Sequence, residues 1–164
     1  MRADHIYPSL ALAASAAILG GAYAFQYIGG LEPCSLCLYQ RVPYWVAISL
    51  GLAALLLARR RRLPGLVMGG IAAVFLVGAG LALYHVGVEQ QLIAGPQACS
   101  AGPGEATTIE ALRAQLLARP VVRCDQVPWS LFGVSLAGYN AILSLALAAA
   151  ALWATRVMIR GQAR

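Results

Sequence analysis

Pro33-Cys-Ser-Leu-Cys-Leu-Tyr-Gln-Arg41 sets a Cys-x-x-Cys pair, Cys34 and Cys37, directly ahead of an apolar run, with an arginine four residues past the second thiol. A helix running back to Pro33 would place Cys34, Cys37 and Arg41 at i, i+3 and i+7 along one face. The thiols would then lie in its first turn, where unpaired N–H groups and the helix dipole favour a thiolate. Arg41 would add a permanent positive charge on the same side. Such surroundings lower a cysteine pKa and make the sulfur reactive. The spacing alone also suits a structural disulfide or half of a zinc site. A c-type haem site is excluded, because Leu38 stands where the histidine would be.

Outward from this pair the chain is apolar in both directions. Of its 164 residues, 60% are hydrophobic and 11% charged, against roughly 45–50% and about 25% in ordinary soluble chains. Four apolar segments of about 17–24 residues are each long enough to cross a bilayer. The expected fold is an all-α membrane protein forming a single domain over 1–164. It is an up-down bundle of four transmembrane helices at about 8–28, 42–58, 65–86 and 129–153. The expected outer loops are then about 29–41 and about 87–128.

The net charge of +6 raises the question of nucleic acid, and its distribution excludes that class. All the basic residues are arginines, mostly at segment ends: Arg2, Arg59 to Arg62, Arg156, Arg160 and Arg164. That is the positive-inside pattern, not a stripe that follows phosphates. It assigns both termini and the connection at 59–62 to the cytoplasm. The connections holding all four cysteines then face outward, where disulfides persist.

A cleaved signal peptide competes for the first span, since Ala22-Tyr-Ala24 resembles a cleavage site. The weak charge ahead of it, Arg2 offset by Asp4, and the apolar residues past Ala24 count against cleavage. Pro43 predicts a kink or restart just after Arg41. Gly65 and Gly69 make a Gly-x-x-x-Gly spacing, a weak signal of close helix contact. In the long loop, Thr107-Thr-Ile-Glu110 reads as a capping box opening a short amphipathic helix that carries Ile109, Leu112 and Leu116 on one face. Such a helix can lie on the membrane surface or cover the end of the bundle. Trp129 and Trp153, roughly 36 Å apart along a continuous helix, suit anchors at opposite interfaces.

Cys99 and Cys124 form the second pair, flanked by Gly95-Pro96 and Gly102-Pro103-Gly104. A flexible loop can present a disulfide to a partner protein, or be stapled by one. A four-cysteine zinc site is disfavoured because the second pair is too widely spaced, so no metal is expected. Arg41 breaks the charge rule at the outward end of a span, and ionisable residues near the membrane plane are functional candidates. His85, at the outward end of the third span, can meet the same site. Gln26 is a weaker candidate.

With these residues in view, the chain resembles the DsbB family of bacterial inner-membrane proteins that make disulfides by reducing quinone. The likeness rests on Pro33-Cys-Ser-Leu-Cys-Leu-Tyr-Gln-Arg41, on Tyr84-His85 before a cysteine-bearing loop, and on Arg123-Cys-Asp-Gln-Val-Pro-Trp-Ser-Leu-Phe-Gly133. It implies a thiol:quinone oxidoreductase in the inner membrane, using ubiquinone or menaquinone and reoxidising a periplasmic DsbA-type thiol oxidase. By position, Cys34 and Cys37 would reduce the quinone, with Cys37 facing the ring and Arg41 and His85 beside it. Cys99 and Cys124 would oxidise the partner, with Cys99 attacked first. The alternative is a small four-span transporter or scaffold with two structural disulfides, which leaves Arg41 unexplained.

Overall fold

Pro43 has no N–H to donate, and the chain breaks its helix in front of it. The computed structural model describes residues 3–58, 63–96, 108–110, 113 and 122–162. In it α1 covers Ala3–Tyr27, α2 Ser35–Tyr39, α3 Val42–Leu56, α4 Leu63–Glu89 and α5 Leu136–Gln162. The expected restart therefore occurs, with Gln40 and Arg41 between α2 and α3 and Pro43 in the first turn of α3. Cys34, Cys37 and Arg41 do not share one helix as expected. Cys34 caps α2, and Arg41 caps α3.

Three helices, Ala3–Tyr27, Leu63–Glu89 and Leu136–Gly161, are long and apolar enough to cross a membrane. α3 is equally apolar in sequence, but the break at Gln40–Arg41 leaves it 15 residues, a rise of about 22 Å. The last span also starts later than expected. Trp129 lies ahead of a small antiparallel hairpin, β1 (Ser130–Leu131) with β2 (Val134–Ser135). Phe132 and Gly133, both at positive φ, make its two-residue turn. The Ser135 hydroxyl then accepts the Gly138 N–H at 3.1 Å, capping α5. The two tryptophans are thus not joined by one continuous helix. They still mark opposite ends of α1: Trp129 packs on Phe25, Trp153 on Tyr7.

Neighbouring helices alternate in direction. Gly51 of α3 faces Pro8 and Leu12 near the start of α1, whereas Arg41 reaches Gln26 near its end. Gly65 of α4 faces Met158 and Ile159 of α5, while Ser135 reaches Glu89. The Gly65/Gly69 spacing thus lies against α5, with Thr155 beside Gly69. Small residues fill the centre, with Ala47, Ala72, Ala148 and Ala151 buried around Tyr44, Met68, Ile71 and Phe75. Leu10, Leu52, Leu66, Val77 and Leu83 are exposed on the outside. Small inside and large apolar outside is the arrangement of helices packed in lipid. The loop-helix expectation falls largely outside the described residues; Ile109, Glu110 and Arg113 are helical and exposed. The arginines at 59–62 and Cys99 also lie outside them.

A side chain at Gly78 would start 3.2 Å from Pro43 Cβ, whereas one at Gly80 would meet nothing within 4 Å. Gly78→Leu is expected to lower stability by about 1–3 kcal/mol through overpacking. Gly80→Leu should change it little. Thermal unfolding of the two variants in the same detergent checks the pair.

Candidate functional site

Cys34 opens α2 by accepting the Cys37 backbone N–H on its sulfur at 3.3 Å. The two sulfurs lie 3.0 Å apart, and both thiols are free. His85 of α4, almost wholly buried, brings Nε2 to 3.7 Å from the Cys34 sulfur. α2 lies outside the long apolar helices, and here the two sulfurs titrate apart. Cys34 is pulled down to about 4, chiefly by the hydrogen bond with Cys37, then by His85 and the Cys37 N–H, against the cost of burial. Cys37 is pushed up, first by that same hydrogen bond, then by burial and by the negative charge on Cys34. The Cys37 N–H and the His85 ring both meet the Cys34 sulfur, which favours the negative charge of the reduced pair on Cys34.

Cys37 has a different neighbour. It lines a partly open cavity of about 400 Å³ between α1, α2, α3, α4 and α5, together with Glu32, Arg41, Tyr44, His85 and Asn140. The remaining walls are largely apolar, including Leu19, Phe25 and Leu143. Arg41 is held at its edge by two α1 side chains. Its guanidinium donates to Gln26 Oε1 at 2.7 Å and lies over the Tyr23 ring, 4.6 Å from the centroid. The cation is therefore built into the protein rather than released to headgroups, and Gln26 has a defined partner.

Cys124 is fully buried and shares one cluster with Cys34, Leu36 and Val88. Its sulfur is 3.6 Å from Ser35 Oγ, and it is disulfide-bonded. Arg123 and Asp125 on either side pair with each other in the exposed layer. The fold thus brings Cys34, Cys37, His85 and Cys124 together, with Arg41 on the cavity side.

Several partners escaped the sequence reading. Gln40 Nε2 lies 2.6 Å from His85 Nδ1, and Asn140 donates to Gln40 Oε1 at 2.5 Å. Tyr44 donates to Asn140 and is 2.8 Å from Ser144 Oγ. Glu89, expected in the outer loop, ends α4 instead; it is buried, with Oε1 4.0 Å from His85 Nε2 and Oε2 accepting from Ser135. The available signal was polar pairs at i, i+4 in apolar surroundings: Gln40/Tyr44, His85/Glu89 and Asn140/Ser144. The donor atoms of Cys34, Cys37 and His85 lie within 4.8 Å of one another.

The family model for disulfide bond formation protein DsbB matches residues 5–154. The chain is 30% identical to disulfide bond formation protein B of Stutzerimonas stutzeri, over 88% of this chain and 90% of that one. It is 30% identical to the protein of the same name from Psychrobacter sp., over 84% and 82%. With that of Acinetobacter baumannii the identity is 28%, over 84% of each chain. No solved structure matches.

The charge on Cys34 is open to titration. Alkylation of Cys34 in the reduced protein, followed by peptide mass spectrometry, should rise with a midpoint near pH 4, while Cys37 stays unreactive. An ordinary thiol would titrate near 9.0. Because the folded value is depressed, the reduced fold gains stability as the pH rises from about 4 to 9.0, and loses that gain on acidification.

Proposed function

This chain belongs to the DsbB family of disulfide bond formation proteins, and we propose that it is a thiol:quinone oxidoreductase of the bacterial inner membrane. It reoxidises a periplasmic DsbA-type dithiol oxidase and sends the electrons through two cysteine pairs to a membrane quinone. The observation that carries this reading is the position of Cys37, with its sulfur 3.0 Å from that of Cys34 on one side and a largely apolar cavity on the other. Arg41, fixed by Gln26 and Tyr23 beside this cavity, is left without a role by a scaffold with two structural disulfides.

The topology follows the same reading. Four spans cross the membrane, with both termini inside and the cysteine loops in the periplasm. α3 makes the second crossing, starting at the turn at Gln40–Arg41, and α2 lies ahead of it on the periplasmic side. Irregular backbone at that depth is tolerable because it is buried in protein and its side chains are partnered.

A quinone suits the residues present. The cavity volume falls within the range of small-molecule sites, and a few polar groups converge in apolar walls. When bound there, a quinone supplies an acceptor for two electrons and two protons. The chain does the rest. Thiolate from the partner attacks Cys99, and resolution of the mixed disulfide releases the partner oxidised, leaving Cys99 and Cys124 as thiols. The burial of Cys124 supports Cys99 as the sulfur first reached by a bulky protein. The second pair then exchanges with the Cys34–Cys37 disulfide, an exchange favoured by the packing of Cys124 beside Cys34. Attack on the nearer sulfur, Cys34, releases Cys37 on the cavity side. Reoxidation of the pair gives up two electrons and, with one of the two sulfurs already ionised, one proton. His85 stands at the Cys34 sulfur, and Arg41 holds positive charge at the cavity edge where negative charge develops.

Cys99→Ser should block oxidation of the partner yet leave quinone reduction by a small dithiol largely intact, whereas Cys37→Ser should abolish quinone reduction from every donor. Equal loss of both activities in both variants would refute a relay with separate sites. For Arg41, loss of a charge-assisted interaction predicts a fall of about 10- to 100-fold in quinone kcat/KM in Arg41→Met. Arg41→Lys should recover only part, since an ammonium cannot reproduce the planar donor fork. Full activity with lysine would reduce Arg41 to a lipid anchor.

A further inference from the structure

A line of hydrogen bonds leads from the interior of the bundle to the Cys34 sulfur. The Tyr44 hydroxyl donates to Asn140 Oδ1 and lies 2.8 Å from Ser144 Oγ. Asn140 Nδ2 donates to Gln40 Oε1 at 2.5 Å, Gln40 Nε2 is 2.6 Å from His85 Nδ1, and His85 Nε2 is 3.7 Å from Cys34 Sγ. The donor inventory sets the directions. With Oε1 taken by Asn140, Gln40 faces His85 through its amide nitrogen, which can only donate, so Nδ1 must accept. His85 then carries its proton on Nε2, aimed at the sulfur. With the Tyr44 proton on Asn140, Ser144 donates into the Tyr44 oxygen. Every donor points toward Cys34. In a low-dielectric interior such links polarise one another, and this chain ends on the Cys34 thiolate.

We propose that Asn140 is a positioning residue for the redox pair: from α5 it sets the direction of this chain, so that His85 presents an N–H and not a lone pair to Cys34. This rests on the reading of Cys34 and Cys37 as the redox pair. The reverse direction would put the proton on Nδ1 and turn a lone pair on the thiolate. Beside the sulfur, the ring's N–H has two further acceptors, a Glu89 oxygen and the Cys124 backbone carbonyl, and neither offers the ring a donor. Glu89, on the same helix, is 4.0 Å away, and its other oxygen is taken by Ser135. From α2 the ring meets Cys34, which is bonded to Cys37, and from the loop it meets the Cys124 backbone. Arg41 is engaged by Gln26 and Tyr23. Neither Asn140 nor Ser144 carries chemistry of its own, which leaves direction as what Asn140 contributes.

The test uses the full-length reduced protein in lipid nanodiscs with 15N-labelled histidine, and His5→Gln identifies the His85 signals. The wild-type protein should show His85 protonated on Nε2. Asn140→Leu releases the Gln40 amide, so the tautomers should mix and the midpoint of Cys34 alkylation should move up by about one pH unit, the scale of a lost charge-assisted bond. Tyr44→Phe disturbs the same cavity but leaves Asn140 able to donate to Gln40, so the His85 tautomer should stay. A wild-type His85 protonated on Nδ1 would overturn the proposal, whatever the variants do. So would an unchanged tautomer and alkylation midpoint in Asn140→Leu, or equal disturbance by Tyr44→Phe. None of these readings involves quinone or a partner protein. Failure of the wild-type protein to reduce quinone, with the Nε2 tautomer in place, would count against the function and not against Asn140.

Discussion

The 2.6 Å hydrogen bond between Gln40 and His85 ties α2 to α4 across a region with little water to offer either side chain. An unpartnered polar group at such depth costs several kcal/mol. The two residues therefore hold each other, and what hangs on them follows. α2 is a helix of only five residues, too short to hold a position by itself. With Gln40 pinned to His85 and Arg41 pinned to α1, its far end can set Cys34 against the imidazole and against Cys124. Local chemistry completes the arrangement, because the sulfur that meets His85 is also the cap of α2.

The site has two faces that ask for opposite environments. Cys34 meets polar neighbours: a backbone N–H, a thiol and an imidazole. Cys37, one turn on, lines a largely apolar cavity. A Cys-x-x-Cys pair at a helix start puts two linked sulfurs on these two faces, three residues apart. The first sulfur faces groups that favour negative charge, and the second faces the apolar walls. The cavity has space because α1 and α5 contribute Gly21, Ala22 and Ala137 to its walls, where bulkier residues would fill it.

Polar residues near the thiols are few and joined, whereas Ser15, buried in α1, has no hydrogen-bond partner among the described residues. Gln40, Tyr44, Asn140 and Ser144 form one connected set with His85, and Glu89 and Ser135 form a second beside it. Each set joins α4 or the turn after α2 to α5. Helix pairing driven by small residues leaves rotation and sliding weakly specified. Directional bonds between named partners remove that freedom at the end of the bundle where the thiols sit.

What the chain determined by itself is what depends on composition and on neighbours in sequence. Apolar runs and the placement of arginines are local quantities, and they carry the membrane class, the helical fold and the grouping of cysteines. Pro43 announced the restart after Arg41 for the same reason, since a missing N–H acts within one turn. Family resemblance marked Cys34, Cys37, Arg41 and His85. Tertiary structure decided the rest. Whether 42–58 makes a full-length helix depended on how the break at Gln40–Arg41 was absorbed, and the start of the last helix depended on a hairpin held against Glu89. Which sulfur holds the charge was out of reach of the spacing, because His85 comes from fifty-one residues away. Gln40, Asn140, Tyr44 and Ser144 read in sequence as isolated polar residues in apolar surroundings. Only packing of α2, α3, α4 and α5 brings them within bonding distance, since hydrogen bonds act over a few ångström in space and leave no mark on the spacing of residues along the chain.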